Sequence, residues 1–251
     1  MNITLPDGSV RALEAGSNGL DLANDIGPGL AKAAIAVSVN GIQKDLCDPI
    51  NEDSEVSIIT TDSDEGLEIM RHTLTAQVLA RAVKNLYPDA KLAIGPTIKD
   101  GFYYDFEFVK SITPDDLEKI EKEMQKIISS KSAITKKLHS KKDALNVFSS
   151  IGESYKESII NESGQEDNFQ LYYQEDNAFV DLCRGPHLPS LKHIGAFKLT
   201  KLAGAYWKGD SKKKMLTRID GTAWKNEKDL NAYMHSIEEA EKRDHRKIGK
   251  E

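Results

Sequence analysis

At 251 residues the chain is longer than one typical domain needs and long enough to bury a core without covalent staples. Its 34 basic and 40 acidic side chains leave a net charge of -6, which excludes a histone-like, sequence-blind coat for nucleic acid and leaves only local basic patches for such a partner. Two distant cysteines, Cys47 and Cys183, argue against a disulfide scaffold and make a reducing cytoplasm the default; no signal peptide follows Met1, and no run nears the ~20 apolar residues of a membrane span.

Residues 3–5 alternate as a strand, Pro6-Asp7-Gly8 turns the chain, and residues 10–13 read as the return strand. Leu20, Leu22, Ala23 and Ile26 space a short amphipathic helix, ended by Gly27-Pro28-Gly29. Residues 34–39 read as a buried strand followed by the hairpin signal Asn40-Gly41, and residues 56–59 as another strand. Strand, strand, helix, strand, strand makes a small α+β module with a mixed sheet. The polar run at residues 60–66 reads as a hinge and the first domain boundary.

Beyond it, Leu74, Val78, Leu79, Ala82 and Leu86 recur at helical spacing, with His72 at the helix start and Pro88 after its end. Ile94-Gly95-Pro96 and Lys99-Asp100-Gly101 are turns, and residues 102–106 form an aromatic-rich strand. Thr113 caps a helix with Pro114 in first position; Leu117, Ile120, Met124, Ile127 and Ile128 are its buried stripe. Residues 131–142 carry five lysines and His139, which reads first as a solvated loop and strand and second as an RNA contact. Residues 171–173, 179–180 and 196–199 are further strands. Residues 225–247 form a charged helix with Leu230, Tyr233, Ile237 and Ala240 along one face.

The chemistry concentrates in Cys183-Arg184-Gly185-Pro186-His187, where a thiol and an imidazole flank a stiff Gly-Pro turn. Asp181 precedes it and Tyr206-Trp207-Lys208-Gly209-Asp210 follows. Such a group can hold a metal, an activated water or a nucleophile. Taken singly, each residue has a plainer reading: His72 as a structural histidine, Cys183 as a buried apolar residue, Lys156 as a surface lysine, and Tyr206-Trp207 as core.

Several stretches together resemble a known family. Residues 1–62 are similar to the TGS domain, a ubiquitin-like β-grasp. Residues 63–224 resemble the editing domain of bacterial threonyl-tRNA synthetases. The resemblance rests on Arg71-His72-Thr73, Ala93-Ile94-Gly95-Pro96, Gly101-Phe102-Tyr103-Tyr104-Asp105, Glu153-Ser154-Tyr155-Lys156 and the run from Val180 to His187. Ala203-Gly204-Ala205-Tyr206-Trp207-Lys208-Gly209-Asp210 resembles the hallmark of the second additional domain shared with alanyl-tRNA synthetases, and residues 225–251 resemble a linker helix toward a catalytic core. The implied fold is α+β: a small β-grasp domain, then a larger α+β editing domain with an antiparallel sheet, then the linker helix.

The resemblance also implies chemistry. A pocket gains only ~1–3 kcal/mol from a methylene-sized difference, so the smaller serine must be removed after attachment. The implied reaction is hydrolysis of the seryl ester on threonine tRNA. His72 and Lys156 would place and activate the water, with Lys156 alternatively steadying the oxyanion. Cys183 and His187 would line the pocket, and Asp181, Tyr104, Gln77 and Arg184 would bind substrate. No metal or cofactor is implied for these residues; ATP and zinc would belong to an aminoacylation core beyond residue 251, along with a homodimer interface. The implied partner is tRNA, met by basic side chains such as Lys208, Lys212, Lys213 and Lys214.

Two departures stand out. The family pattern is His, three residues, then His, whereas here Gln77 replaces the second histidine with one extra residue after His72. Either His72 sits in a non-helical lead-in, or the first imidazole is displaced. Asp220 stands where the family usually has tyrosine. Two other readings follow: a non-catalytic RNA-binding or regulatory module with a decayed pocket, and a zinc hydrolase built on His72, Cys183 and His187.

Overall fold

The computed structural model describes residues 1–175 and 177–249; Lys250 and Glu251, the end of the expected linker-helix stretch 225–251, lie outside the described residues. β1 (Asn2–Thr4) and β2 (Val10–Ala12) form a hairpin. α1 (Gly19–Ile26) and α2 (Pro28–Ala33) cross over, and β3 (Ala34–Val39), β4 (Ile42–Asp45) and β5 (Ser54–Thr60) complete a mixed sheet ordered β2-β1-β5-β3-β4. β1 and β5 run parallel, and the remaining neighbours antiparallel. This is the β-grasp arrangement. Ile3, Val37 and Val56 bury against Leu22 and Ala23 of α1, whose first turn is closed by a capping box between Asn18 and Asp21. Gly27 ends α1 as its C-cap, as expected, and Pro28 then opens a second short helix, α2, where its missing N–H leaves nothing unpaired.

α3 (Asp64–Thr73) begins inside the expected hinge. Ser63 caps it, its Oγ accepting from Gly66 N at 3.0 Å. A Cβ on Gly66 would lie 2.0 Å from the Thr60 carbonyl, so only glycine lets the helix start this close to β5. His72 therefore sits in the last turn of α3, not at a helix start. The helix runs on through a π turn, Leu74–Leu79, into α4 (Ala80–Leu86). There the Ala80 N–H reaches Thr75 O, five residues back.

β6 (Lys91–Leu92), β7 (Thr97–Ile98), β8 (Gly101–Glu107), α5 (Asp116–Ser129), β9 (Ile134–His139), α6 (Lys141–Ser150) and α7 (Ser154–Glu162) follow. β10 (Phe169–Gln174), β11 (Phe179–Leu182), β12 (Ala196–Tyr206), β13 (Met215–Trp224) and α8 (Glu227–Ile248) complete the order. Two antiparallel sheets result, β12-β13-β8-β6 with β7 also on β8, and β11-β10-β9. Alternation along β8 buries Phe102, Tyr104 and Phe106 in one cluster with Val78 of the π turn and the Ile120, Met124, Ile127 stripe of α5. The cluster extends into the small domain, where Ile35, Ala36 and Ile59 join Ile69 and Met70 of α3.

At the far end, Leu230 of α8 is buried and Tyr233 packs on Trp224 with ring centroids 5.0 Å apart. Ile237 and Ala240 further along the helix are exposed. Among the described residues no helix is long and apolar enough to cross a membrane.

Residues 1–62 contain no aromatic side chain, so fluorescence from Trp207 and Trp224 reports the larger domain alone. Ile35→Ala should nevertheless lower the urea midpoint of that fluorescence transition, as follows from the ~2–5 kcal/mol stability loss usual for such a truncation. A midpoint unchanged from wild type would mean that the two domains do not share a core.

Candidate functional site

A cavity of about 660 Å³ opens between the two antiparallel sheets and α7, within the range of small-molecule sites. α3 and the π turn contribute His72 and Ala76. β8 contributes Tyr104, α7 contributes Lys156, and the end of β11 contributes Asp181, Cys183 and Arg184. Gly95 lets the wall close: a Cβ there would lie 2.1 Å from the Tyr104 ring.

Lys156 is held by α7, whose entry residue Glu153 is buried. Glu153 accepts from Leu92 N at 2.8 Å and pairs with Lys84 of α4 at 2.9 Å. Lys156 is itself 2 % exposed, and its Nζ lies 2.8 Å from Asp181 Oδ1. Asp181 also accepts from Tyr104 OH at 2.9 Å and from Leu182 N at 2.8 Å. Burial first, then the Asp181 charge, raises the Tyr104 hydroxyl far above its usual range, so it stays a donor. A buried ion pair of this kind adds little net stability, yet removing one partner costs about 3–5 kcal/mol.

His72 faces Cys183, with 3.1 Å between Nε2 and Sγ, and Gly185 N donates to the same sulfur at 3.3 Å. Burial pulls the imidazole below its usual 6.5; a hydrogen bond to the Pro186 carbonyl and the charges of Asp181 and Asp45 oppose that shift without reversing it. A neutral imidazole lining the cavity can take a proton from water. His187 lies behind this pair. Its ring centroid is 4.5 Å from that of His72, and its Nδ1 is 3.0 Å from Thr73 Oγ1.

Of the residues named from sequence, His72, Tyr104, Lys156, Asp181, Cys183 and Arg184 meet at one cavity. Two others do not. His187, expected to line the pocket, is 2 % exposed and stands behind the wall; its Nε2 is buried without a partner. Gln77, expected to contact substrate, is withdrawn: its Oε1 accepts from Gln174 Nε2 at 2.9 Å. The π turn is the cause. It absorbs the extra residue after His72, keeps His72 in the site within an unbroken helix, and leaves Ala76 on the wall. Neither a non-helical lead-in nor a displaced imidazole is needed.

The Tyr206–Asp210 turn also lies away from the cavity. Trp207 packs on Tyr155 at 4.9 Å and so braces the helix that carries Lys156. Asp220, opposite Tyr103 and Lys201 on its sheet, does not line the cavity, and burial raises its carboxyl. Of the four expected phosphate contacts, Lys208 pairs with Glu162 and Lys214 with Glu107, so Lys212 and Lys213 are the freer cations.

Sequence reading missed Thr73, Ala76, Asp45 and Tyr172. Thr73 adjoins His72 and could have been flagged; the other three carry no local signal. The donor atoms of His72, Cys183 and His187 lie within 4.8 Å of one another. In kind they fit a soft divalent cation, but Gln77 supplies no fourth ligand because Gln174 holds it.

Comparison with known proteins follows the same division of the chain. Residues 1–60 match the TGS domain, and residues 170–220 match the Threonyl and Alanyl tRNA synthetase second additional domain. The chain is 54 % identical over 248 residues to the threonine–tRNA ligase of Hahella chejuensis, covering 99 % of this chain and 38 % of that protein. It is 52 % identical over 250 residues to that of Francisella philomiragia, covering 100 % of this chain and 39 % of that protein. The chain thus spans about two-fifths of the length of these curated relatives. With half of its residues shared from one end to the other and both domains matched in order, the chain corresponds to the N-terminal region of bacterial threonine–tRNA ligases.

Proposed function

We propose that this region hydrolyses seryl-tRNA(Thr), the mischarged product of a ligase that attaches threonine to tRNA(Thr) in the cytoplasm. The observation that carries the reading is a single cavity lined both by His72, whose imidazole burial holds toward its neutral form, and by a buried lysine locked to a carboxylate. The His72 imidazole takes the proton of a water as its oxygen attacks the ester carbonyl. Lys156, already paired with Asp181, acts as donor to the developing oxyanion and not as the base. The 3′ oxygen of the terminal ribose leaves and takes up the proton, releasing serine. Asp181 and Tyr104 fix Lys156, Cys183 fixes His72, and Arg184 at the exposed rim meets the nucleic acid. The reaction needs water alone; Lys212 and Lys213 contribute phosphate contacts. A second reading, a tRNA-binding module without editing, is favoured by the withdrawal of Gln77.

Seryl-tRNA(Thr) should be deacylated and threonyl-tRNA(Thr) spared, with the seryl rate unaffected by a strong chelator. His72→Ala should lower the rate about 10²–10⁴-fold, the share of a positioned acid–base group. If both esters decay at the uncatalysed rate, the binding-module reading replaces this one.

The pH profile has a fixed sign. The folded imidazole titrates below 6.5, and only its neutral form accepts a proton. The seryl rate should therefore rise with pH through an inflection below 6.5 and level off above it. A rate still climbing steadily through neutral pH would assign the base to another group.

Gln77→His should leave hydrolysis within about twofold of wild type, because residue 77 faces Gln174. Ala76→His puts the second imidazole on the cavity wall and should change the seryl rate several-fold or more. Equal effects at both positions would contradict the π-turn placement.

A further inference from the structure

One buried carboxylate behind the cavity comes from the other domain. Asp45 ends β4, the edge strand of the β-grasp sheet, and is 5 % exposed. Its own position is fixed locally: Asp45 N donates to Asp48 Oδ2 at 3.0 Å, and Asp48 N donates to Asp45 O at 3.1 Å. Its side chain points across the domain boundary. Oδ1 accepts the backbone N–H of His187 at 2.8 Å; Oδ2 accepts Tyr172 OH at 2.6 Å and faces Lys136 Nζ at 3.1 Å. Lys136 is also paired with Asp48.

These contacts converge on the Cys183–His187 turn. The Tyr172 and His187 rings stand perpendicular, with centroids 4.5 Å apart. The Tyr172 hydroxyl fills the space beside Gly185, where φ is +64° and a Cβ would lie 2.1 Å from that oxygen, so no side chain fits. His187 is thus clamped by Thr73 of α3, Tyr172 of β10 and Asp45 of the β-grasp domain. Among the described residues only Asp45 holds its backbone, and the same turn carries Cys183 against His72.

We propose that Asp45 is a positioning residue through which the β-grasp domain sets the geometry of the hydrolytic turn. The larger domain alone would lack the acceptor for His187 N–H, so the N-terminal domain completes the site without touching substrate. This inference rests on the hydrolytic reading, but its physical core, the placement of His187, can be measured separately. The plainer view is that Asp45 is only glue between domains.

The test uses the full chain. Asp45→Ala should lower kcat for seryl-tRNA(Thr) deacylation about 10²-fold with KM moved less than about twofold, the size expected when a reacting group is displaced by an ångström. Asp45→Asn keeps an acceptor for His187 N–H and should recover most of kcat. It also keeps the proposal testable if Asp45→Ala fails to fold. The long-range ¹H–¹⁵N spectrum of the His187 ring should shift in Asp45→Ala and return toward wild type in Asp45→Asn. If wild type itself does not deacylate, the hydrolytic reading fails, while the His187 spectrum still decides the positioning role. Wild-type kcat together with unmoved His187 signals in a folded Asp45→Ala variant, or no recovery by Asp45→Asn, would overturn it.

Discussion

The Asp181 carboxylate is the contact on which the rest of the site depends. An ammonium taken out of water is stable only if a charged partner and hydrogen bonds replace its hydration. Lys156 meets that condition through Asp181 at 2.8 Å, and Asp181 in turn accepts from Tyr104 and from its own strand. The need to satisfy one carboxylate therefore binds α7, β8 and β11 into a single wall. It also explains the close fit at Gly95, since the Tyr104 ring must approach without obstruction to deliver its hydroxyl. Trp207 and Glu153 then serve the same end at one remove, by fixing the helix that presents the lysine.

The other half of the site obeys a different rule. His72, Cys183 and His187 are arranged by short contacts within two elements, the last turn of α3 and the turn after β11. Here burial works on the imidazole, pushing it toward the neutral form. An ion-paired lysine and an imidazole held toward its neutral form thus share one cavity, Lys156 paired with a carboxylate and His72 desolvated by burial.

Much of this was legible in the sequence, and the limits are instructive. The aromatic-rich run at residues 102–106 marked β8, helical spacing marked α5, and the Asn40-Gly41 signal marked the β3–β4 hairpin. The motif residues around His72, Lys156 and Cys183 were found because each lies in a short, distinctive run. Spacing could not show on which side of the wall a side chain falls: His187 looked equivalent to Cys183 and sits behind it. Gln77 was misplaced because a π turn changes the angular step per residue, and no residue type signals such a turn. Asp45 was invisible because 142 residues separate it from the backbone it holds.

The π turn also bears on how this site can change by mutation. Glutamine and histidine codons differ in the third base alone, so an imidazole at position 77 is within reach of a single-base substitution. Helix phase turns that position toward Gln174. Position 76 has the useful direction, but alanine and histidine codons differ at both of the first two bases. The other route is the loss of a whole codon between His72 and Gln77, which would close the widened turn. The backbone geometry of one helical turn thus separates the substitutions that are genetically near from those that are chemically useful.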